Sequence, residues 1–275
     1  MSGPLVIASN LVPYRIDLSN PPDHALDTLV DLGALDVEPV TGGVAALLPD
    51  TVSAEYVAYV LGVRDVRVSP AAGRDDESVW TLSPRPVRIR TLSIVPADAP
   101  GAPGSVRLVD GAAFGTGLHA TTALCLEAME DMFDAGIPDR MLDVGTGSGV
   151  LALAAVRRGV RRAVALDLDE DALRIAAENG RINEAGERLA LVCGGPEAVR
   201  GQWPLVVANI RAAELMELAQ PIASRVASRG RLVLSGIPQS VASAVERAYR
   251  RLGMRSVSAA ERDGWTALVL QPTWG

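Results

Sequence analysis

The stretch Asp143-Val144-Gly145-Thr146-Gly147-Ser148-Gly149 lies between two apolar runs of different lengths, and it decides how the second half of the chain is read. Met141-Leu142-Asp143-Val144 fits the end of a short buried parallel strand, and Val150-Leu151-Ala152-Leu153-Ala154-Ala155-Val156 fits a buried helix. A glycine-rich turn between strand and helix lets a ligand approach the backbone closely. It also points the N–H groups of the helix N-terminus at that ligand. A loop for a nucleotide-like cofactor is therefore expected here.

Downstream, strand and helix alternate. Ala163 to Leu166 reads as a strand ending at Asp167, and Glu170 to Asn183 as a helix with acidic residues in its first turn. Leu189 to Val192, Leu205 to Ala208 and Arg231 to Ser235 read as further strands. Leu215, Leu218, Ile222 and Val226 predict one helix, and Val241, Val245, Ala248 and Leu252 another. Arg255 to Ala260 and Trp265 to Leu270, joined by Glu261-Arg262-Asp263-Gly264, predict a closing antiparallel hairpin. The pattern is that of an α/β, Rossmann-like doubly wound sheet. Upstream, Phe114-Gly115-Thr116-Gly117-Leu118-His119-Ala120-Thr121-Thr122 is a second glycine-rich segment. It leads into a helix carrying Leu124, Ala128 and Met132 that ends before Pro138.

The N-terminal part reads differently. Tyr14 to Leu18 alternates like a strand, and Pro21-Pro22-Asp23 can start a helix carrying Leu26, Leu29 and Val30. Val37 to Val40 and Val44 to Leu48 flank Thr41-Gly42-Gly43 as a hairpin. Ser53 can cap a helix with Val57, Val60 and Leu61 inside, and Val63 to Ser69 supplies a last strand. The order βαββαβ predicts a small ferredoxin-like α+β domain. The expected division is 1–70 for this domain, 71–104 for a linker with short strands at 87–90 and 92–95, and 105–275 for the cofactor-binding domain.

The chain has 275 residues, 48% of them hydrophobic and 21% charged, which suits a soluble globular protein of two domains. No apolar run reaches the roughly 20 residues of a membrane-spanning helix, and no signal peptide is visible, so a cytoplasmic location is expected. The net charge of −7 argues against direct nucleic-acid binding. Two cysteines, Cys125 and Cys193, read as buried free thiols, and with two distant histidines no metal site is expected. All 26 cationic side chains are arginine, so a lysine-modifying enzyme of this sequence has no lysine of its own to modify.

Gly145-x-Gly147-x-Gly149 alone is shared by several nucleotide-binding folds. Asp167, 22 residues after Gly145 at the end of the next strand, adds a carboxylate able to accept hydrogen bonds from ribose hydroxyls. Val150 stands where a dinucleotide fingerprint requires its third glycine, which disfavours a nicotinamide oxidoreductase. Asp143 is awkward beside a pyrophosphate but suits the ammonium and sulfonium of S-adenosylmethionine. Asn209 ends a strand at the ligand-binding edge of the sheet. There it can hydrogen-bond an incoming amine and aim its lone pair, or simply cap the following helix. His119 can be a base, a substrate contact or a helix-start residue. Glu197 is a weak candidate for an adenine contact, and Trp203, Trp265 and Trp274 read as packing residues.

Asp143 to Gly149 with Asp167 resembles the class I methyltransferase signature. Phe114 to Thr122 together with Asn209-Ile210-Arg211-Ala212 resembles the PrmA family, the methyltransferases of ribosomal stalk protein L-eleven. The likeness runs over nearly the whole chain, with departures at Leu118, Ala120, Thr146 and Arg211. It implies a seven-stranded methyltransferase sheet using S-adenosylmethionine, and an N-terminal domain that recognises a protein substrate. It also implies cofactor contacts at Thr122, Gly145, Asp167 and Asn209, with Phe114 and His119 on a loop over the cofactor. Asp143, Gly147 and Leu168 complete the candidate cofactor set, and Asn209 and His119 are the candidate catalytic pair. The expected activity is N-methylation of a lysine ε-amine or N-terminal α-amine of a protein, with a ribosomal protein as the implied partner. A small-molecule N- or O-methyltransferase and a cofactor-binding protein without transferase activity are the alternatives.

Overall fold

The structure, a computed structural model, describes residues 13–71, 74–75, 79–80, 86–97, 104–109 and 119–274. The chain divides into two units, Met1–Pro84 and Arg85–Gly275.

In the first unit β1 (Tyr14–Ser19), α1 (Ala25–Asp31), β2 (Asp36–Val40), β3 (Gly43–Leu48), α2 (Ala54–Leu61) and β4 (Val66–Pro70) follow the βαββαβ order. The strands pair antiparallel in the order β2-β3-β1-β4, the ferredoxin-like arrangement. Ser53 caps α2 by accepting the Tyr56 amide at 3.2 Å, and Gly62 closes it in the left-handed conformation. Ile16, Leu18, Leu29, Val44, Ala46, Leu48, Val57 and Leu61 form the core. The inward face of each helix is narrower than its sequence suggests, since Val30 and Val60 are exposed. Val60 follows Val57 by three residues and Leu61 by four, so the two lie on opposite flanks of Val57, and only the Leu61 flank meets the sheet. The short strands β5 (Arg74–Asp75) and β6 (Val79–Trp80) pair antiparallel.

The second unit opens with β7 (Val87–Ile89), β8 (Leu92–Pro96) and β9 (Val106–Leu108), a three-stranded sheet. Of the strands expected within a linker, β7 pairs with β8 and β8 with β9, and both lie in the unit Arg85–Gly275. There follow α3 (Ala120–Ala135), β10 (Arg140–Val144), α4 (Val150–Arg158), β11 (Arg162–Asp167), α5 (Glu170–Ile182), β12 (Leu189–Cys193) and β13 (Trp203–Asn209). Next are α6 (Ala212–Glu217), α7 (Ala219–Ser224), β14 (Val226–Pro238), α8 (Ala242–Arg251), β15 (Met254–Arg262) and β16 (Trp265–Pro272). The seven-stranded sheet has the order β12-β11-β10-β13-β14-β16-β15. Its first five strands are parallel, and the closing β15–β16 hairpin is antiparallel. From β10 the chain builds outward through β11 and β12, then returns to the other side of β10 as β13. Strand order reverses between β10 and β13, which opens a crevice at their carboxyl ends.

Strand alternation sorts the core into two layers. Met141, Ala163, Ala165, Leu205, Val207 and Val233 face α3 and α4. Leu142, Val144, Val164, Leu166, Val206, Ala208, Leu232 and Leu234 face α6, α7 and α8. By the same alternation Asp143, Asn209 and Ser235 fall on the α3 face. Two sequence expectations are corrected. The helix expected from Leu215 to Val226 is two short helices, with Pro221 in the first turn of α7, where its missing N–H costs nothing, and Val226 opening β14. On α3 the buried residues include Leu124, Cys125, Leu126, Met129 and Phe133, while Ala128 and Met132 are only partly buried. The helix is covered by the sheet and by α4 together, so its apolar arc is wider than a single 3.6-residue stripe.

Candidate active site

The glycine loop is held to the neighbouring strand by its own amides. The N–H groups of Gly145 and Thr146 donate to the Leu166 carbonyl at 2.9 and 2.8 Å, and that of Gly149 donates to the Thr146 carbonyl at 2.9 Å. The Gly147 amide donates to Asp167 Oδ2 at 2.9 Å, while Asp167 Oδ1 accepts from Asp169 N at 3.0 Å. This corrects one expectation, because four loop amides are used inside the protein and do not form an anion cradle. Each Asp167 oxygen takes one amide and retains acceptor capacity for a ligand hydroxyl. Gly145 lies at φ +71°, and an added Cβ would approach Ile210 Cγ2 to 2.2 Å, so the turn is closed to any side chain. Leu168 is 77% exposed at the rim beside Asp167.

Asp143 lies beneath this loop with no solvent exposure. Its Oδ2 accepts from the Thr146 hydroxyl at 2.7 Å, and Oδ1 has no hydrogen-bond partner among the described residues. Burial pushes its carboxyl up to about 7 and the charge of Asp167 adds to the rise, while the Thr146 hydroxyl and the Ala152 amide oppose it. Ala152 is in the first turn of α4. The anion at this helix N-terminus is therefore the protein's own carboxylate. A ligand phosphate would face it at close quarters, whereas a cation would be attracted.

Across the crevice, Asn209 ends β13. It is almost buried, and its Nδ2 donates to the Thr122 hydroxyl at 3.3 Å. Its Oδ1 is a buried acceptor with no partner among the described residues. The helix that follows is capped at Arg211, not Asn209, so the capping role is removed. Thr122 comes from the first turn of α3, whose N-cap is His119. The His119 Nδ1 lies 2.7 Å from the Thr121 hydroxyl and accepts from the Thr121 amide at 3.3 Å, so His119 caps the helix. Its ring meets Trp265 edge-on, with centroids 5.1 Å apart. Arg262 ties the β15–β16 turn to Glu127 of α3 at 3.0 Å.

The crevice thus brings together Thr122, Asp143, Gly145, Gly147, Asp167 and Asn209, with His119 at the N-cap of α3 and Leu168 at the rim. Phe114 lies outside the described residues. Trp265 packs as expected, and its partner is His119. Trp203 is buried and also carries the Arg140 guanidinium 5.3 Å from its ring centre. Cys125 is buried, and its thiol is pushed up by burial and by Asp143, whereas Cys193 is exposed, contrary to expectation. Cys193 closes β12, which among the described residues has no neighbouring strand on one side. Among the described residues no cluster of side chains could hold a metal ion, and no helix is long and apolar enough to cross a membrane.

The donor set fits S-adenosylmethionine. Two buried acceptors without a partner among the described residues, the Asn209 Oδ1 and the Oδ1 of the Asp143 carboxylate at the helix start, suit a cationic ligand without phosphates, and Asp167 suits its ribose. Comparison with known proteins agrees. The family profile of ribosomal protein L11 methyltransferase (PrmA) matches residues 49–273. The chain belongs to that family. It is 43% identical over 195 residues to the ribosomal protein L11 methyltransferase of Geobacter sulfurreducens, covering 69% of this chain and 64% of that protein. It is 34% identical over 286 residues to that of Geotalea daltonii, covering 98% and 90%. A crystal structure of the ribosomal protein L11 methylase from Lactobacillus delbrueckii subsp. bulgaricus superposes with a TM-score of 0.63 at 30% identity, over 68% of this chain and 98% of that one. The chain thus matches somewhat less than two thirds of the Geobacter sulfurreducens relative's length. The fold is that of a class I methyltransferase.

Proposed function

We propose that this protein transfers a methyl group from S-adenosylmethionine to an amine of a ribosomal protein, the lysine ε-amine or the N-terminal α-amine. The observation that carries the reading is Asn209, whose amide is anchored on Thr122 while its Oδ1 is a buried acceptor with no hydrogen-bond partner among the described residues. An amine attacks only when neutral, and a free lysine at neutral pH is neutral about one time in a thousand. Asn209 Oδ1 can accept an N–H of the neutral amine and leave its lone pair directed into the crevice, a contribution from orientation. When bound, S-adenosylmethionine supplies an electrophilic methyl on a sulfonium. Asp167 would hold the ribose hydroxyls, and ionised Asp143 would balance the positive charge. His119 Nδ1 is engaged at the start of α3, so a role as proton acceptor is not required. The N-terminal ferredoxin-like unit is the proposed protein-recognition module, and a ribosomal substrate places the reaction in the cytoplasm.

The test is transfer of radiolabelled methyl groups from the cofactor into ribosomal proteins from a strain lacking this gene. The chain has no lysine, so labelled methyl-lysine must come from a substrate. Methyl-lysine or a methylated N-terminus in one ribosomal protein supports the proposal. Label confined to small metabolites supports the small-molecule alternative and refutes it.

A further inference from the structure

Helix α5 meets the cofactor loop through small side chains and one amide. A Cβ added to Gly149 would touch the Ala176 methyl at 3.3 Å, so helix and loop are in close contact. One turn further along α5, Asn179 is fully buried. Its Nδ2 donates to the Ser148 carbonyl at 2.9 Å, and its Oδ1 accepts from the Val109 amide at 2.8 Å. After another turn, Asn183 accepts from the Arg107 amide at 2.9 Å and donates to the Arg107 carbonyl at 2.6 Å. Residues 107 and 109 present their backbone groups on the same side of the chain, so two side-chain amides satisfy it as a neighbouring strand would. Only one of the two, Asn179, continues to the glycine loop.

We infer that Asn179 is a positioning residue for the cofactor site, setting the Ser148–Gly149 peptide plane. That plane is held at both ends, by the Gly149 amide on Thr146 and by the Ser148 carbonyl on Asn179. Gly147 and Gly149, on either side of Ser148, are at φ +54° and +82°. Glycines rotate at little cost, so the shape of the loop depends on an outside brace. Loss of the donor leaves a buried carbonyl unsatisfied, and the loop relaxes away from the form that receives the cofactor.

The inference rests on the cofactor reading above, and calorimetric titration with S-adenosylhomocysteine alongside thermal melting separates the two. Asn179→Ala is expected to weaken binding about tenfold, the equivalent of one hydrogen bond to a buried group. Asn183→Ala breaks two bonds to the same stretch and one to the Asn179 carbonyl, and none to the loop. It should lower the melting temperature while leaving the dissociation constant within about twofold. Asn179→Asp keeps the acceptor for Val109 but loses the donor for Ser148, and should bind at least as weakly as the alanine variant. If Asn179→Ala does not fold, Asn179→Ser gives the same comparison. Equal loss of affinity in the Asn179 and Asn183 variants, or unchanged affinity at Asn179, overturns the inference. Failure of the wild type to bind overturns the cofactor reading instead.

Discussion

Replacing Asp143 by asparagine tests the electrostatics of the crevice directly. Burial raises this carboxyl from its ordinary value of 3.8 to about 7. A displacement of about 3 pH units corresponds to roughly 4 kcal/mol for carrying the charge in the folded, ligand-free protein. The folded pKa is the raised one, so the favourable contribution is complete below about pH 4, where both states are protonated. It is lost as pH rises toward 7 and does not return above. The side-chain amide of Asp143→Asn cannot ionise, so above pH 7 the variant should be the more stable. Its gain should be about 1–2 kcal/mol, less than the full cost because its own amide needs a partner, which raises the melting temperature by several degrees. Ligand binding should change in the opposite sense. A cation binds the ionised carboxylate, so below pH 7 wild-type affinity for S-adenosylmethionine should improve close to tenfold per pH unit and then level off. The variant should bind about 30- to 150-fold more weakly at pH 8, the loss of one charge-assisted contact of about 2–3 kcal/mol. Calorimetry at pH 6 in buffers of different ionisation heat should show nearly one proton released by wild type. The ligand's own α-amine titrates near 7.7–8.0, and the variant provides the correction for it. A wild-type dissociation constant that is flat from pH 5.5 to 8.5, or an identical profile in the variant, would refute this account.

Asn209→Ala removes the bare acceptor, and should lower kcat about 100-fold while moving cofactor affinity much less, read by steady-state kinetics beside calorimetry. Asp167→Ala removes the ribose acceptor and leaves the Gly147 amide without its bond. Its cofactor affinity should fall by about 10- to 100-fold, and wild-type affinity in this variant would argue that the ribose sits elsewhere. Gly236→Ala places a Cβ 2.1 Å from the Ile210 carbonyl oxygen at a residue with φ +80°. Because that contact is backbone, thermal melting should show a loss of more than about 2 kcal/mol, larger than for Gly145→Ala, whose clash is with a side chain.

Much of this architecture was legible in the residues, because it rests on local periodicity. The glycine loop, the Asp167 strand end and the βαββαβ order all follow from alternation and turn chemistry. Each needs information from only a few neighbouring positions. Helix faces were less legible. Val60, Ala128 and Met132 have helical spacing, but how much of a helix is buried depends on the number of neighbours that cover it. Cys193 has apolar residues before it in sequence, yet it is exposed because β12 is the edge of the sheet.

The site itself divides the same way. The sequence alone pointed to the cofactor class, since Asp143 is awkward beside a pyrophosphate, Val150 breaks the dinucleotide fingerprint and Asp167 suits a ribose. Only the tertiary structure decided what each group does. It turned the loop amides inward, left Asp143 and Asn209 each with a bare oxygen, tied Asn209 to Thr122 across 87 residues, and braced the loop through Asn179. These are contacts between distant segments, set by strand order and helix packing, and no local pattern of residues encodes them.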